Sequence, residues 1–113
     1  MKKQKLREPK EKEIQKLIID WLRWQGIFCW KNNSVGIFNK STGHYIPMGM
    51  KGISDITAVL KGGVICCIEV KAKRGKISPF QEEFLENIRK MGGIGFVARC
   101  LEDVELSLKD YIL

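Results

Sequence analysis

Gly52-Ile53-Ser54-Asp55-Ile56-Thr57-Ala58-Val59-Leu60-Lys61-Gly62-Gly63-Val64-Ile65-Cys66-Cys67-Ile68-Glu69-Val70-Lys71 is the stretch on which the reading of this 113-residue chain turns. Two apolar runs, Ile56 to Leu60 and Val64 to Val70, flank Lys61-Gly62-Gly63 and predict a β-hairpin. Side chains alternate between the faces of a strand, so Glu69 and Lys71 project to one side and Val64, Cys66, Ile68 and Val70 to the other. Turn length then decides where Asp55 points. A two-residue loop at Gly62-Gly63 pairs Asp55 with Val70 and removes it from the acidic face. A three-residue loop with Gly63 left-handed pairs Leu60 with Val64 and sets Asp55 opposite Glu69; this second register is the expectation.

Directly opposed carboxylates have Cβ atoms roughly 5 Å apart and repel each other, so the pairing points to a divalent cation. Both donors are hard oxygens, which suit Mg²⁺, with Mn²⁺ as its substitute. Lys71 beside them offers a positive charge for an attacking water or for the charge of a phosphoryl transition state. The bland alternative is a turn-side aspartate with a solvated Glu69-Lys71 strand edge, and the letters alone fit both equally.

The ordered combination of Gly52-Ile53-Ser54-Asp55, Ile68-Glu69-Val70-Lys71 and Ser78-Pro79-Phe80-Gln81-Glu82-Glu83-Phe84 resembles the PD-(D/E)XK nuclease superfamily and, within it, the small stand-alone VRR-NUC type. That type is known from phages and from the C-terminal domain of a eukaryotic DNA-repair nuclease. The resemblance runs from about Pro9 to the last predicted helix. Ser54 stands where such proteins often carry proline. The resemblance implies a restriction-endonuclease-like α/β fold, a single domain with a mixed central sheet flanked by helices, and a metal held by Asp55, Glu69 and the backbone carbonyl of Val70. It implies Lys71 as the catalytic lysine, Gln81 as a residue near it, and an acidic or amide residue from the first helix. That last role falls to Glu11 or to Gln15: Glu11 shares a helical stripe with Ile14, Ile18 and Trp21, and Gln15 lies beside it. A helix-start glutamate favoured by the macrodipole explains Glu11 equally well.

The remainder of the chain fills in around this centre. Residues 1–8 form a basic, aperiodic stretch expected to be a flexible arm, and residues 9–113 the nuclease-like domain. Pro9 suits the first turn of a helix that runs to Gly26. Ile27 to Trp30 predicts a strand entering the core, and Ile37-Phe38 and Tyr45-Ile46 a small hairpin. Lys40, Tyr45 and Lys51 are candidates to line a DNA groove, as are Lys73, Arg74 and Lys76 in the loop leaving the carboxylates. The lone His44 reads as a surface turn residue. Ser78-Pro79-Phe80-Gln81 has capping-box spacing, which by itself accounts for Gln81. The helix it opens carries Phe80, Phe84, Leu85, Ile88 and Met91 on its apolar face; a strand from Ile94 to Ala98 and a helix from about Glu102 follow, the latter with Val104, Leu108, Tyr111 and Ile112 inward.

A net charge of +7 with 29% charged residues favours a polyanionic partner, and DNA over a membrane surface. No apolar run approaches the roughly 18 residues that span a bilayer, and a cytoplasmic setting is expected. The four cysteines lack metal-site spacing and are expected to be buried thiols. With the resemblance, the functional expectation is a Mg²⁺-dependent DNA endonuclease without a small-molecule cofactor; the resemblance to small stand-alone members implies structure selectivity, foremost for four-way (Holliday) junctions cut by a homodimer. Nicking of flaps or duplex, and a non-catalytic DNA-binding module, are the alternatives.

Overall fold

The computed structural model describes residues 7–33, 37–46 and 50–112, and for residues 37, 38, 45 and 46 the backbone alone. The elements follow the expected order: α1 (Glu11–Trp24), β1 (Phe28–Lys31), β2 (Ile37–Asn39), β3 (His44–Ile46), β4 (Ile56–Leu60), β5 (Val64–Val70), α2 (Pro79–Lys90), β6 (Ile94–Ala98) and α3 (Leu101–Ser107). The sheet has four strands in the order β1-β4-β5-β6. Neighbours pair antiparallel except β5 and β6, which are parallel because α2 carries the chain back across the sheet. The strands β2 and β3 form a separate antiparallel hairpin, Ile37 facing Ile46.

α1 forms because Ile14, Ile18 and Leu22 recur at helical spacing and bury one stripe, with Ile19 beside them. Its start is two residues later than Pro9: Glu13 accepts the N–H of Lys10 at 3.2 Å and pairs with Arg7 at 2.7 Å, so Lys10 becomes the cap and Pro9 precedes the helix. The stripe packs with Val104 and Leu108 of the C-terminal segment onto one sheet face, where Ile56, Ala58, Leu60, Cys66, Ile68 and Val70 are buried. Burial of each of the Ile, Leu and Val side chains among them contributes roughly 1.5–3 kcal/mol. On the other face α2 covers β5 and β6, its Leu85 backbone lying against Gly95. β5 is therefore buried on both faces from Cys66 to Val70.

Several expectations are corrected. The first strand is Phe28–Lys31 and lies at the sheet edge with only Cys29 buried; α2 does not reach over it, so Phe28 and Trp30 stay exposed, their rings 5.3 Å apart. Phe80 and Met91 are exposed rather than part of the apolar face of α2, because they stand at its first turn and beyond its last. α3 ends at Ser107, which leaves Tyr111 exposed past the helix. Cys29, Cys66 and Cys67 are buried as expected, but Cys100 is exposed at the cap of α3. Of the basic arm, residues 1–6 lie outside the described residues.

Gly52 fixes how the loop before β4 meets α2. It has φ +79°, and a Cβ there would lie 2.4 Å from the Phe80 carbonyl oxygen. Gly62, at φ +89°, has open space in the same position. Gly52→Ala is therefore expected to lower stability by about 2 kcal/mol or more, and Gly62→Ala by only about 1 kcal/mol from backbone strain. Urea unfolding followed by circular dichroism checks this; equal losses would contradict the packing described.

Candidate active site

The β4–β5 hairpin places the carboxylates as the three-residue loop requires. Leu60 pairs with Val64 and Ile56 with Ile68, so Asp55, one residue ahead of β4, faces Glu69. Both Gly62 and Gly63 take positive φ, at 89° and 80°, and the Gly63 N–H donates to the Leu60 carbonyl at 2.9 Å, closing the turn.

Asp55 Oδ2 accepts the backbone N–H of Val70 at 2.7 Å, which ties it to the strand that carries Glu69. Val70 itself sends its side chain into the core. Glu69 is only 2% exposed. Its Oε1 accepts from Gln81 Nε2 at 3.1 Å and lies 3.8 Å from Lys71 Nζ, whereas its Oε2 has no partner among the described residues. Burial pushes the Glu69 carboxyl up to about 8; the neighbouring Asp55 carboxylate adds to this, Lys71 opposes it and Glu11 adds again.

Gln81 does two things at once. Its Oε1 accepts the Ser78 N–H at 2.9 Å while the Ser78 hydroxyl accepts the Gln81 N–H at 3.2 Å, completing the capping box, and its Nε2 is left to hold Glu69. The cap fixes the amide that orients the carboxylate.

The donor chemistry suits a hard divalent cation. A buried carboxylate oxygen without a partner among the described residues, a second carboxylate facing it and a carboxyl pushed up by burial are what such an ion relieves. No cluster of three or more His, Cys, Asp or Glu with metal-binding placement occurs among the described residues. Glu11, half-buried at the start of α1, influences Glu69 through its charge. Gln15 is 7% exposed with Oε1 unpartnered; it lines a recess of about 490 Å³ with Lys12, Lys16, Ile19, Asp20, Arg23 and Lys31, and no hydrogen bond joins it to the carboxylates.

The basic candidates lie in three places. Lys73, Arg74 and Lys76 are exposed on the loop after Lys71, Lys40 is exposed in the β2–β3 turn, and Lys51 places Nζ 3.9 Å from the centroid of the Phe80 ring. Tyr45 has its backbone in β3; its side chain lies outside the described residues. His44 is exposed. Arg99 was not among the candidates, yet its Nη1 donates to the carbonyls of Ala72 at 2.7 Å, Gly75 at 2.8 Å and Lys73 at 3.4 Å and folds the basic loop into place. The signal for it is topological: the parallel register Val70 to Ala98 brings the residue after β6 beside the residues after β5.

A mixed α/β domain with opposed carboxylates at the mouth of its central hairpin is the class that fold and site define. No family model matches the chain, and no curated protein matches it. Solved structures do. One, described as a VRR_NUC domain, is similar at 24% identity and TM-score 0.62, covering 89% of this chain and 96% of that one. Another, described as a VRR_NUC domain protein, is similar at 22% identity and TM-score 0.68, covering 93% and 89%. The chain has the VRR_NUC-domain fold, and the resemblance read from its motifs is borne out at the level of fold.

The raised Glu69 carboxyl has a stability consequence with a definite sign. Its folded value, about 8, lies above the ordinary 4.5, so the native state keeps a proton that the unfolded chain releases. The resulting stabilisation is complete below about pH 4.5 and is lost as pH rises through about 8. Glu69→Gln stays neutral and keeps an acceptor for Gln81. In EDTA its melting temperature relative to wild type is expected to climb across that window; a difference independent of pH would contradict the assignment.

Proposed function

We propose that this chain is a Mg²⁺-dependent DNA endonuclease that hydrolyses phosphodiester bonds, with Mn²⁺ able to replace Mg²⁺. The observation that carries the reading is the meeting of Asp55, Lys71 and Gln81 around one buried glutamate, Glu69. A domain that only binds DNA has no use for two facing carboxylates, which repel phosphates. The VRR_NUC designation of the structures with this fold accords with the same reading.

Asp55 and Glu69 would hold the cation, with the Val70 carbonyl as a further oxygen and Glu11 or Gln15 as the helix contribution. When bound, the cation supplies a water of lowered pKa and offsets charge on the phosphate. The Gln81 amide keeps Glu69 Oε1 fixed and leaves Oε2 for the ion. The Lys71 ammonium, its side chain 14% exposed, stands where it attracts a phosphate oxygen and favours the charge of the transition state. Lys73, Arg74 and Lys76 then bind phosphates flanking the scissile bond, and Lys40, Tyr45 and Lys51 line the approach.

The proposed substrate is branched DNA, foremost the four-way junction, cut by a homodimer whose two-fold symmetry matches that of the junction. The exposed aromatic residues Trp24, Phe28 and Trp30 at and beside the edge strand offer material for a dimer face.

End-labelled junction, flap, duplex and single-stranded DNA incubated with Mg²⁺, Mn²⁺ or EDTA tests this. Metal-dependent paired cuts on the junction are expected. Lys71→Ala is expected to lose roughly 100-fold or more in cleavage rate while keeping a cooperative melt. Cuts confined to flaps or duplex would keep the nuclease and remove the junction; a folded protein that cuts no DNA would overturn the enzymatic reading.

A further inference from the structure

Asp55 stands outside the regular sheet. The β1–β4 ladder ends at Lys31 facing Ile56, so strand pairing no longer fixes the residue that bears the first carboxylate. Asn32, the residue after β1, replaces the ladder with a set of bonds of its own. Its backbone N–H donates to the Asp55 carbonyl at 2.8 Å. Its side-chain Nδ2 donates to the Ser54 carbonyl at 3.0 Å and to Thr57 Oγ1 at 2.7 Å. Its Oδ1 accepts from the indole N–H of Trp30 at 3.0 Å.

These bonds saturate the amide. Both Nδ2 hydrogens are used, on residues to either side of Asp55, and the indole donor occupies the oxygen. The orientation is also determined, since a flipped amide would set oxygen against the Ser54 carbonyl and nitrogen against the Trp30 N–H. Ser54 is 1% exposed, so its backbone has no water to replace a lost partner. Among the described residues, the Asp55 side chain has one protein hydrogen bond, from Val70. A small shift of residues 54–57 would break that bond and carry the carboxylate away from Glu69.

We infer that Asn32 is a positioning residue for the Asp55 carboxylate, holding it opposite Glu69 at the geometry the cation needs. The inference rests on the proposed metal-dependent site and deepens it, because it names the residue outside the ligand set that makes Asp55 a competent ligand. Groups that orient metal ligands typically contribute 10–100-fold to affinity. Asn32 is half-buried at the exit of the edge strand, so a melting measurement accompanies the affinity measurement.

Mn²⁺ affinity measured directly, by isothermal titration or by the free-ion paramagnetic resonance signal, provides the test without relying on cleavage. Asn32→Ala is expected to weaken Mn²⁺ binding roughly 10-fold or more, with a cooperative melt retained and with junction binding in EDTA unchanged. Thr57→Val, which removes a single acceptor, is expected to weaken Mn²⁺ binding less, and Thr57→Ser to restore it. If Asn32→Ala does not fold, the Thr57 pair decides by the same readout. Wild-type Mn²⁺ affinity in folded Asn32→Ala, or equal affinity in both Thr57 variants, would overturn the positioning role and leave the nuclease reading standing. A wild-type protein that binds no Mn²⁺ would overturn both.

Discussion

Two carboxylates held face to face across an antiparallel strand pair are the constraint to which the rest of this molecule is fitted. Asp55 and Glu69 repel, and burial makes ionisation of Glu69 harder still. Neutral donors and one ammonium hold the arrangement together: the Val70 N–H on Asp55, the Gln81 amide on Glu69, and Lys71 at the edge of ion-pair range. None of them cancels a full charge within direct bonding distance, and one Glu69 oxygen has no partner. Such a site carries a demand for positive charge, which the proposed divalent ion would meet.

The architecture explains how so small a chain sustains that demand. Covering β5 on both faces gives Glu69 a rigid, dry strand. α2 contributes through its cap more than through its length, since Gln81 is at once a capping residue and the donor to Glu69. Gly52 lets the Asp55 loop pack directly on the same helix start, so the elements carrying Asp55, Glu69 and Gln81 meet within one contact region. Opposite this ordered centre, the β1 edge leaves aromatic side chains exposed, and there the protein has surface to offer a partner.

Most of the fold was legible in the sequence, and so was the register that sets Asp55 opposite Glu69. The Lys61-Gly62-Gly63 turn fixes the register, and the register fixes which acid faces which; hairpin signals are local, which is why this reading held. Helical periodicity gave α1, α2 and α3, and the run Ile94 to Ala98 gave β6. The errors share one cause, namely that hydrophobicity does not say how far a covering helix extends. Phe28, Phe80, Met91, Cys100 and Tyr111 are apolar, but they lie at element ends or under no second layer. Asn32 and Arg99 escaped for another reason. Each acts on residues more than 20 positions away, through pairings that exist only once β1 lies beside β4 and β6 beside β5.

The central claim is that the facing carboxylates are a cation site, and crystals grown with Mn²⁺ and examined by anomalous diffraction test it most directly. The account predicts a peak roughly 2–2.5 Å from oxygens of both Asp55 and Glu69, with Gln81 still bonded to Glu69 and Lys71 alongside. A fully occupied ion elsewhere, with the carboxylates left empty and Lys71 drawn in to bridge them, would contradict it and reduce the arrangement to a structural ion pair.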